Sequence, residues 1–305
     1  MSVVQEVEVA GRRVRLTNLD KILWPETGFT KAQMIEYYVR VAPWLLPHLA
    51  GRPLTLRRFP NGVEGINWYQ TRCQNRPPWL PTFPIPTRTG EIQDFCLVED
   101  EAALAWVANQ AAVELHPYLA RVPDLDRPSF VVFDLDPGEP AGLRECCALA
   151  LLLRELLDGV GLGSFTKSSG TLGLHVYVPL NTPVDYAATK AFARAVARLL
   201  AGEHPRLAVH EQKRSLRAGK VLVDWLQNDA TRSTVVAYSL RAAPWPLVSL
   251  PLAWEEVAEV AAEGQPERLL FRADAVVERL ERRGDLFAPT LELEQTLPSL
   301  DRLDP

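Results

Sequence analysis

The stretch Phe130–Gly138, Phe-Val-Val-Phe-Asp-Leu-Asp-Pro-Gly, constrains this chain more than any other. Its four apolar residues, with β-branched Val131 and Val132, predict a buried strand. Pro137-Gly138 ends it. Asp134 and Asp136 are two apart, so in a strand both carboxylates face one way and Leu135 the other. Two anions that close repel and raise each other's pKa unless a cation lies between them. A divalent metal at the strand end resolves the conflict, and oxygen ligands suit Mg²⁺ or Mn²⁺. The same residues also read as a strand running out into a solvated Asp-Pro turn.

At 305 residues the chain can bury a full core as one large domain or two lobes. With 47% hydrophobic and 23% charged residues it has the composition of an ordinary soluble globular protein. No apolar run approaches the roughly 18 residues of a membrane span, and Met1–Asn18 is polar, without the pattern of a secretory signal. Cys73, Cys96, Cys146 and Cys147 form no C-x-x-C pair, which argues against a zinc site and a disulfide framework and for a reducing cytoplasm. Net charge is −5, but 13 of the 38 acidic and only 6 of the 33 basic residues fall in 251–305, so residues 1–250 are slightly positive. Arg52–Arg76 and Arg206–Lys220 each hold five basic residues against one glutamate, as a patch tracking phosphates or a solvated surface would.

Val3–Leu16 alternates around Ala10-Gly11 as a hairpin. Asn18, Lys21 and their neighbours form a turn-rich loop, and Thr30 opens a helix with Gln33 completing a capping box. Met34, Tyr37, Tyr38, Val41 and Leu45 give that helix its apolar stripe. Lys31 falls in the first turn, where free amides favour a phosphate. Leu54–Phe59 is a strand. The adjacent Trp68 and Tyr69 lie among basic residues, either half core and half surface or a platform for stacking bases. Five prolines from Pro77 to Pro86 predict an extended, irregular connection. An Ala-rich helix is expected over Glu101–Leu115, ending at His116-Pro117, and an apolar one over Leu143–Leu157.

Ser164–Leu180 reads as strand, Gly-rich turn, strand. Lys167 and Ser169 share one face, and His175 and Tyr177 share one face. Ser168-Ser169-Gly170 and the second glycine free backbone amides for phosphate oxygens, and Lys167 adds a point charge. His175 can donate a hydrogen bond or a proton to the same group; a hairpin with a structural histidine is the plain alternative. Thr189–Leu200 is a helix and Lys220–Leu226 a strand in which Asp224 interrupts an apolar run. A buried lone carboxylate costs several kcal/mol unless paired or metal-bound, so Asp224 needs a partner, and Asp134 with Asp136 would supply one. Val235–Arg241 reads as one more strand, and Trp254–Leu280 as an acidic helical flank.

Taken together, Asp134-Leu135-Asp136, Ser168-Ser169-Gly170 with His175, Asp224 in Val-Asp-Trp-Leu-Gln-Asn, and Tyr238-Ser239-Leu240-Arg241 resemble the polymerase domain of bacterial DNA ligase D, in the archaeo-eukaryotic primase superfamily. The resemblance runs from about Arg15 to Pro251. It implies an α/β fold of the α+β type: mixed, largely antiparallel sheets flanked by helices around a primase-polymerase-like catalytic core. The expected organisation is one domain over 1–305, with a DNA-end-binding lobe at 1–90, a catalytic core at 91–250 and an acidic flank at 251–305.

The implied activity is gap filling and end extension in non-homologous end joining, from NTP or dNTP with ribonucleotides favoured. By the family pattern Asp134, Asp136 and Asp224 hold two ions, Mn²⁺ or Mg²⁺, and Ser169, His175 and Arg241 hold the triphosphate with Lys167. His116 matches a histidine near the nucleotide, Trp68-Tyr69 an aromatic pair at base or template, and Asn18, Lys21 and Lys31 a pocket for a downstream 5′-phosphate. The implied partners are DNA with gaps or broken ends, Ku and a DNA ligase, and no membrane. The family often fuses this domain to ligase and nuclease domains, so the chain reads as a stand-alone polymerase or an excised domain. Trp68-Tyr69 replaces the common phenylalanine pair, and Asp229 falls where relatives are often basic.

Two readings from other classes compete. A haloacid-dehalogenase-type phosphatase shares the opening Val-Val-Phe-Asp-Leu-Asp, but Gly138 stands where Thr or Val should, and Gly284-Asp285 lacks the later aspartate of its metal motif. A non-catalytic DNA-end-binding module would keep the fold without needing intact acidic and phosphate motifs.

Overall fold

The computed structural model describes residues 4–87 and 89–303, the last two by backbone alone; Val3, where the expected hairpin begins, lies outside the described residues. In chain order the elements are β1 (Val4–Val9), β2 (Arg12–Thr17), β3 (Ile22–Trp24), β4 (Phe29–Thr30), α1 (Lys31–Leu49), β5 (Leu54–Arg58), β6 (Trp68–Gln70), β7 (Thr82–Pro86), β8 (Ile92–Cys96), α2 (Glu101–Asn109) and β9 (Ala112–Pro117). There follow β10 (Phe130–Pro137), α3 (Leu143–Gly159), β11 (Phe165–Ser168), β12 (Leu174–Pro179), α4 (Tyr186–Glu203), β13 (Ala208–Val209), β14 (Val221–Asp224), β15 (Pro251–Leu252), α5 (Trp254–Glu263) and α6 (Ala273–Arg283). This is the mixed α/β fold with antiparallel sheets that the sequence predicts. Two compact units are interleaved along the chain: Met1–Val122, Ser233–Ser249 and Arg272–Gly284 form the first, and Pro123–Arg232, Leu250–Phe271 and Asp285–Pro305 the second. Each unit is drawn from three separate stretches of the chain.

In the first unit α1 starts where the capping chemistry says it should. Thr30 Oγ1 accepts from Gln33 N at 3.3 Å, and Gln33 Oε1 accepts from Thr30 N at 2.8 Å. Met34, Tyr37, Tyr38, Val41 and Leu45 are all buried, as their helical spacing requires. β5 is the middle of a five-stranded antiparallel sheet, with β9 along one edge and β6 and β8 along the other; β7 lies outside β8.

The second unit is built on a six-stranded sheet ordered β13-β14-β10-β12-β11-β15. All its pairings are antiparallel except β13 with β14. Val131, Phe133 and Leu135 pack with Leu149, Leu153, Phe192 and Val196 of α3 and α4 in one apolar core. A side chain of this kind contributes about 1.5–3 kcal/mol when fully buried. Strand alternation then sends Val132, Asp134 and Asp136 to the face opposite that core.

Four expectations are corrected. The helix expected over Glu101–Leu115 stops at Asn109; Ala111 takes a left-handed φ of 56°, and Ala112–Pro117 becomes β9 because β5 offers it an edge. Half of the Pro-rich connection is a strand, β7, which tolerates Pro84 and Pro86 because it lies at the sheet edge. Val235–Arg241 is not a strand: Tyr238 has a φ of 69°, and the segment holds on through isolated bridges such as Leu240 to Val248. Cys73 and Cys96 form a disulfide, against the expectation of none. The pair is 23 residues apart, too far for a local spacing motif, and meets where Cys73 N donates to Asp94 O on β8.

A disulfide closing a loop of this length is worth about 3 kcal/mol in the chain-entropy account. Unfolded without reductant, the protein should show two reactive thiols, Cys146 and Cys147, and Cys73→Ser should show three. A thiol count of four in the untreated protein would refute the pairing.

Candidate functional site

In the second unit, register brings the charged residues together. Asp134 on β10 faces Asp224 on β14 directly, and on its other side faces His175 on β12; His175 in turn faces Lys167 on β11. Residues directly opposite share a sheet face, so Asp224, Asp134, His175 and Lys167 form one row across four strands. His175 is the middle link: its Nε2 lies 3.2 Å from Asp134 Oδ1 and its Nδ1 3.0 Å from Lys167 Nζ. An ammonium can only donate, so Nδ1 accepts from Lys167, which leaves the ring proton on Nε2, at ion-pair distance from Asp134 Oδ1. Both ring nitrogens are therefore engaged within the row, and Lys167 is fully buried.

Asp136 sits two residues on, on the same face, opposite Leu222. Burial and the negative charge of Asp134 push the Asp224 carboxyl above its ordinary range, against hydrogen bonds from Leu226 N at 2.8 Å and Gln212 Nε2 at 3.0 Å. Among the described residues no three His, Cys, Asp or Glu side chains gather tightly enough to hold a metal ion by themselves. The donor chemistry nevertheless fits a hard divalent cation: all-oxygen ligands, crowded and mutually repelling. Mg²⁺-type ions are commonly held by one or two carboxylates with substrate phosphates completing the shell, rather than by a full protein cage.

The turn after Lys167 is shaped by its small residues. Ser169 Oγ accepts from Thr171 N at 3.3 Å and Gly173 N at 3.1 Å, curling the loop on itself. Gly170 has a φ of 78°. At Gly173 a Cβ would strike the carbonyl of Leu135 and lie 3.6 Å from Asp136 Oδ1, so glycine is what lets the loop lie against the carboxylate strand. Ser168 Oγ accepts from Leu250 N at 3.1 Å.

The first unit carries a second row. Tyr69 on β6 faces Arg57 on β5, which faces Glu114 on β9. His116, two residues on, shares that face. Glu114 is almost fully buried, and its Oε2 lies 3.0 Å from His116 Nε2. Arg57 Nη1 is 3.3 Å and Arg241 Nη1 3.6 Å from the carboxylate, and Ala242 N donates to it at 3.0 Å. These partners outweigh burial and hold the Glu114 carboxyl down at about 2, led by the His116 hydrogen bond and the Arg241 charge. His116 goes the other way: burial lowers it, against the pull of Glu114. The Tyr69 ring stands edge-on to His116 at 5.5 Å, with Arg57 5.4 Å from its centre. Trp68 points to the other face of the strand, beside Arg58 at 5.4 Å, and both aromatics are exposed. They do not form one continuous platform.

Asn18, Lys21 and Lys31 are also in the first unit. Asn18, at a φ of 54°, accepts from Lys21 N through its carbonyl. Lys31 N donates to Lys21 O at 2.8 Å, Ala32 N to Leu19 O at 2.9 Å, and Gln33 N to Thr30 Oγ1. The first amides of α1 are thus occupied, which corrects the expectation that they are free for a phosphate. What remains is the ammonium pair. Lys21 Nζ donates to Asn61 Oδ1 at 3.0 Å and Lys31 Nζ to Thr17 O at 2.6 Å. Burial, then the charges of Lys21 and Arg58, lower Lys31 to about 8.

Residues 30–287 match the family described as LigD, primase-polymerase domain. The chain belongs to that family. The multifunctional non-homologous end joining protein LigD of Mycolicibacterium smegmatis is 40% identical over 294 residues, 95% of this chain and 37% of that protein. The bifunctional LigD of Bacillus subtilis is 30% identical over 273 residues, 89% of this chain and 43% of its own. The polymerase domain of Mycobacterium tuberculosis ligase D, solved in complex with DNA, matches with a TM-score of 0.85 at 37% identity, over 92% of this chain and 98% of that one. The chain spans well under half the length of the LigD relatives it matches. As a LigD primase-polymerase domain it is a polymerase, of the nucleotidyltransferase class.

Several residues of this primase-polymerase domain were not visible beforehand. Asn228, fully buried, donates to Val132 O and accepts from Val132 N, both at 2.8 Å, so its amide extends the β10 ladder where β14 has ended. Gln212 and Gln227 donate to Asp224 and Asp134. Glu114 was hidden by the helix assignment: in a helix, residues two apart diverge, whereas in a strand Glu114 and His116 share a face.

Because Glu114 has its pKa depressed from 4.5 to about 2 in the folded state, its charge stabilises the fold fully above the unfolded value. That stability is lost as pH falls through the folded one. In urea unfolding, the advantage of wild type over Glu114→Gln should shrink as pH drops from about 4.5 toward about 2. A pH-independent difference would mean the carboxylate is not specifically stabilised.

Proposed function

We propose that this chain fills gaps and extends ends at DNA double-strand breaks, transferring nucleotides from NTP or dNTP, ribonucleotides favoured, to a primer 3′-hydroxyl. The observation that carries the reading is the row Asp224–Asp134–His175–Lys167 with Asp136 beside it on the same sheet face. Asp134, Asp136 and Asp224 are the ligands for two ions, Mn²⁺ or Mg²⁺. Bound there, such ions supply a more acidic 3′-hydroxyl and charge neutralisation for the departing pyrophosphate. The protein's share is positioning and electrostatics. Gln212 and Leu226 N hold Asp224, and His175 holds Asp134. Lys167, joined to Asp134 through His175, offsets the row's negative charge and stabilises charge that develops on phosphate. The Ser168-Ser169-Gly170 turn offers short polar groups beside Asp136. In the first unit His116 and Arg241 are assigned to the nucleotide, and Trp68 and Tyr69 to bases of the DNA.

DNA as substrate is supported by the complex of the tuberculosis polymerase domain, and end joining by the names of the LigD relatives. Ku and a DNA ligase are the corresponding partners. The test is nucleotide incorporation on a gapped duplex with Mn²⁺. Wild type should incorporate, and Asp134→Ala and Asp136→Ala should lose incorporation while keeping the circular dichroism spectrum. Full activity in either variant would sink the assignment, and DNA binding without incorporation by wild type would leave an end-binding module.

Lys21 and Lys31 are assigned to the downstream 5′-phosphate, which carries nearly two charges. Wild type should bind a 5′-phosphorylated gap more tightly than an unphosphorylated one. Since Lys31 loses its proton near 8, that preference should fade as pH rises through about 8. Lys21→Ala with Lys31→Ala should remove the preference; an equal loss on both DNAs would make these lysines mere backbone contacts.

A further inference from the structure

We propose that Glu114 is a positioning residue for the incoming nucleotide: one buried carboxylate that sets Arg241, Arg57 and His116 in fixed relation. The inference rests on the assignment of His116 and Arg241 to the nucleotide. Glu114 itself cannot touch a triphosphate. It is an anion, only 1% exposed, and its lone pairs are already met by hydrogen bonds from Ala242 N at 3.0 Å, His116 Nε2 at 3.0 Å and Arg57 Nη1 to both oxygens at 3.3 and 3.4 Å, with Arg241 Nη1 an ion pair at 3.6 Å. An ionised carboxylate has about four acceptor sites, so this one is saturated.

Charge shows what the arrangement leaves over. Two guanidiniums against one carboxylate leave a net positive charge at a largely buried place. Each guanidinium spends Nη1 on Glu114 and keeps other donors. Arg241 is the clearer case, because its Nε is buried and has no hydrogen-bond partner among the described residues. A buried donor left without a partner is unfavourable, and a phosphate oxygen would satisfy it. For His116 the carboxylate fixes the ring: Nε2–H donates to Glu114, so Nδ1 is the ring atom turned to other partners. Arg57 also lies over Tyr69, so the same carboxylate steadies the aromatic assigned to the DNA bases. Without Glu114 two guanidiniums would repel each other, and the imidazole would lose its orientation.

The test measures equilibrium binding of ATP with Mn²⁺ by calorimetry, alongside steady-state incorporation on a gapped duplex. Glu114→Gln keeps the shape and removes the charge. It should weaken ATP binding about 10- to 100-fold, the range for losing one or two charge-assisted contacts. KM for the nucleotide should rise more than kcat falls, and the loss of ATP affinity should exceed any loss of affinity for the gapped DNA. The decisive variant is Glu114→Gln with Arg241→Ala. If Glu114 acts through Arg241 as well as His116, the double variant should lose clearly less ATP affinity than the sum of the two single losses. A fully additive loss would overturn the proposal, as would unchanged ATP binding in Glu114→Gln while Arg241→Ala binds weakly. Should Glu114→Gln fail to fold, Glu114→Asp, which keeps the charge one methylene short, decides: a partial loss supports the proposal and wild-type binding overturns it. A wild type that binds no ATP would instead refute the nucleotide assignment, and the proposal with it.

Discussion

Asp224, Asp134, His175 and Lys167 come from four strands, β14, β10, β12 and β11, and face one another only because the three pairings between those strands share one register. A slip of one residue in β10 would exchange Asp134 for Phe133 or Leu135 and drive a carboxylate into the packing of α3 and α4. The apolar core and the charged row therefore enforce each other. Val131, Phe133 and Leu135 lock the strand against the helices, and that lock aims the aspartates at the opposite face. Gly173 and Asn228 complete the placement. One lets the neighbouring turn approach the Leu135 carbonyl, and the other bonds Val132 beyond the end of β14.

The first unit solves a related problem in a different way. Its row, Tyr69–Arg57–Glu114, is also set by strand register, but a buried anion organises cations instead of a cation joining anions. In the second unit Lys167, through the imidazole of His175, answers the carboxylate of Asp134; in the first unit Glu114 answers Arg57 and Arg241. In both, a histidine Nε2 lies beside a carboxylate, at 3.2 Å from Asp134 and 3.0 Å from Glu114. The consequence is that both rows owe their geometry to contacts within the protein itself.

Much of this was legible in the sequence where a local rule decides the outcome. The capping box at Thr30, the strand at Phe130–Pro137 and the hairpin around Gly170 follow from side-chain chemistry within a few residues. The shared face of Asp134 and Asp136 followed from the period of a strand alone. What failed depended on partners far along the chain. Ala112–Pro117 is rich enough in apolar residues to extend a helix, and only the open edge of β5 makes it a strand that turns Glu114 and His116 to one face. The occupied amides of α1 and the Cys73–Cys96 bond likewise come from loops that fold back by 10 and 23 residues. Val235–Arg241 has the composition of a strand, yet its backbone at Tyr238 turns left-handed, with Tyr37 Oη donating to the Tyr238 carbonyl from α1.

The interleaving of the two units bears on how the chain is made. The first unit needs Ser233–Ser249 and Arg272–Gly284, and the second needs Leu250–Phe271 and Asp285–Pro305. Arg241, which meets Glu114, and Leu252, which pairs with Thr166, are both made long after their partners. Neither unit can close as an early, independent folding step during translation. Long-range closure of this kind slows folding and leaves apolar strands exposed while it waits. A chain halted near residue 232 would thus lack the finishing segments of both units at once.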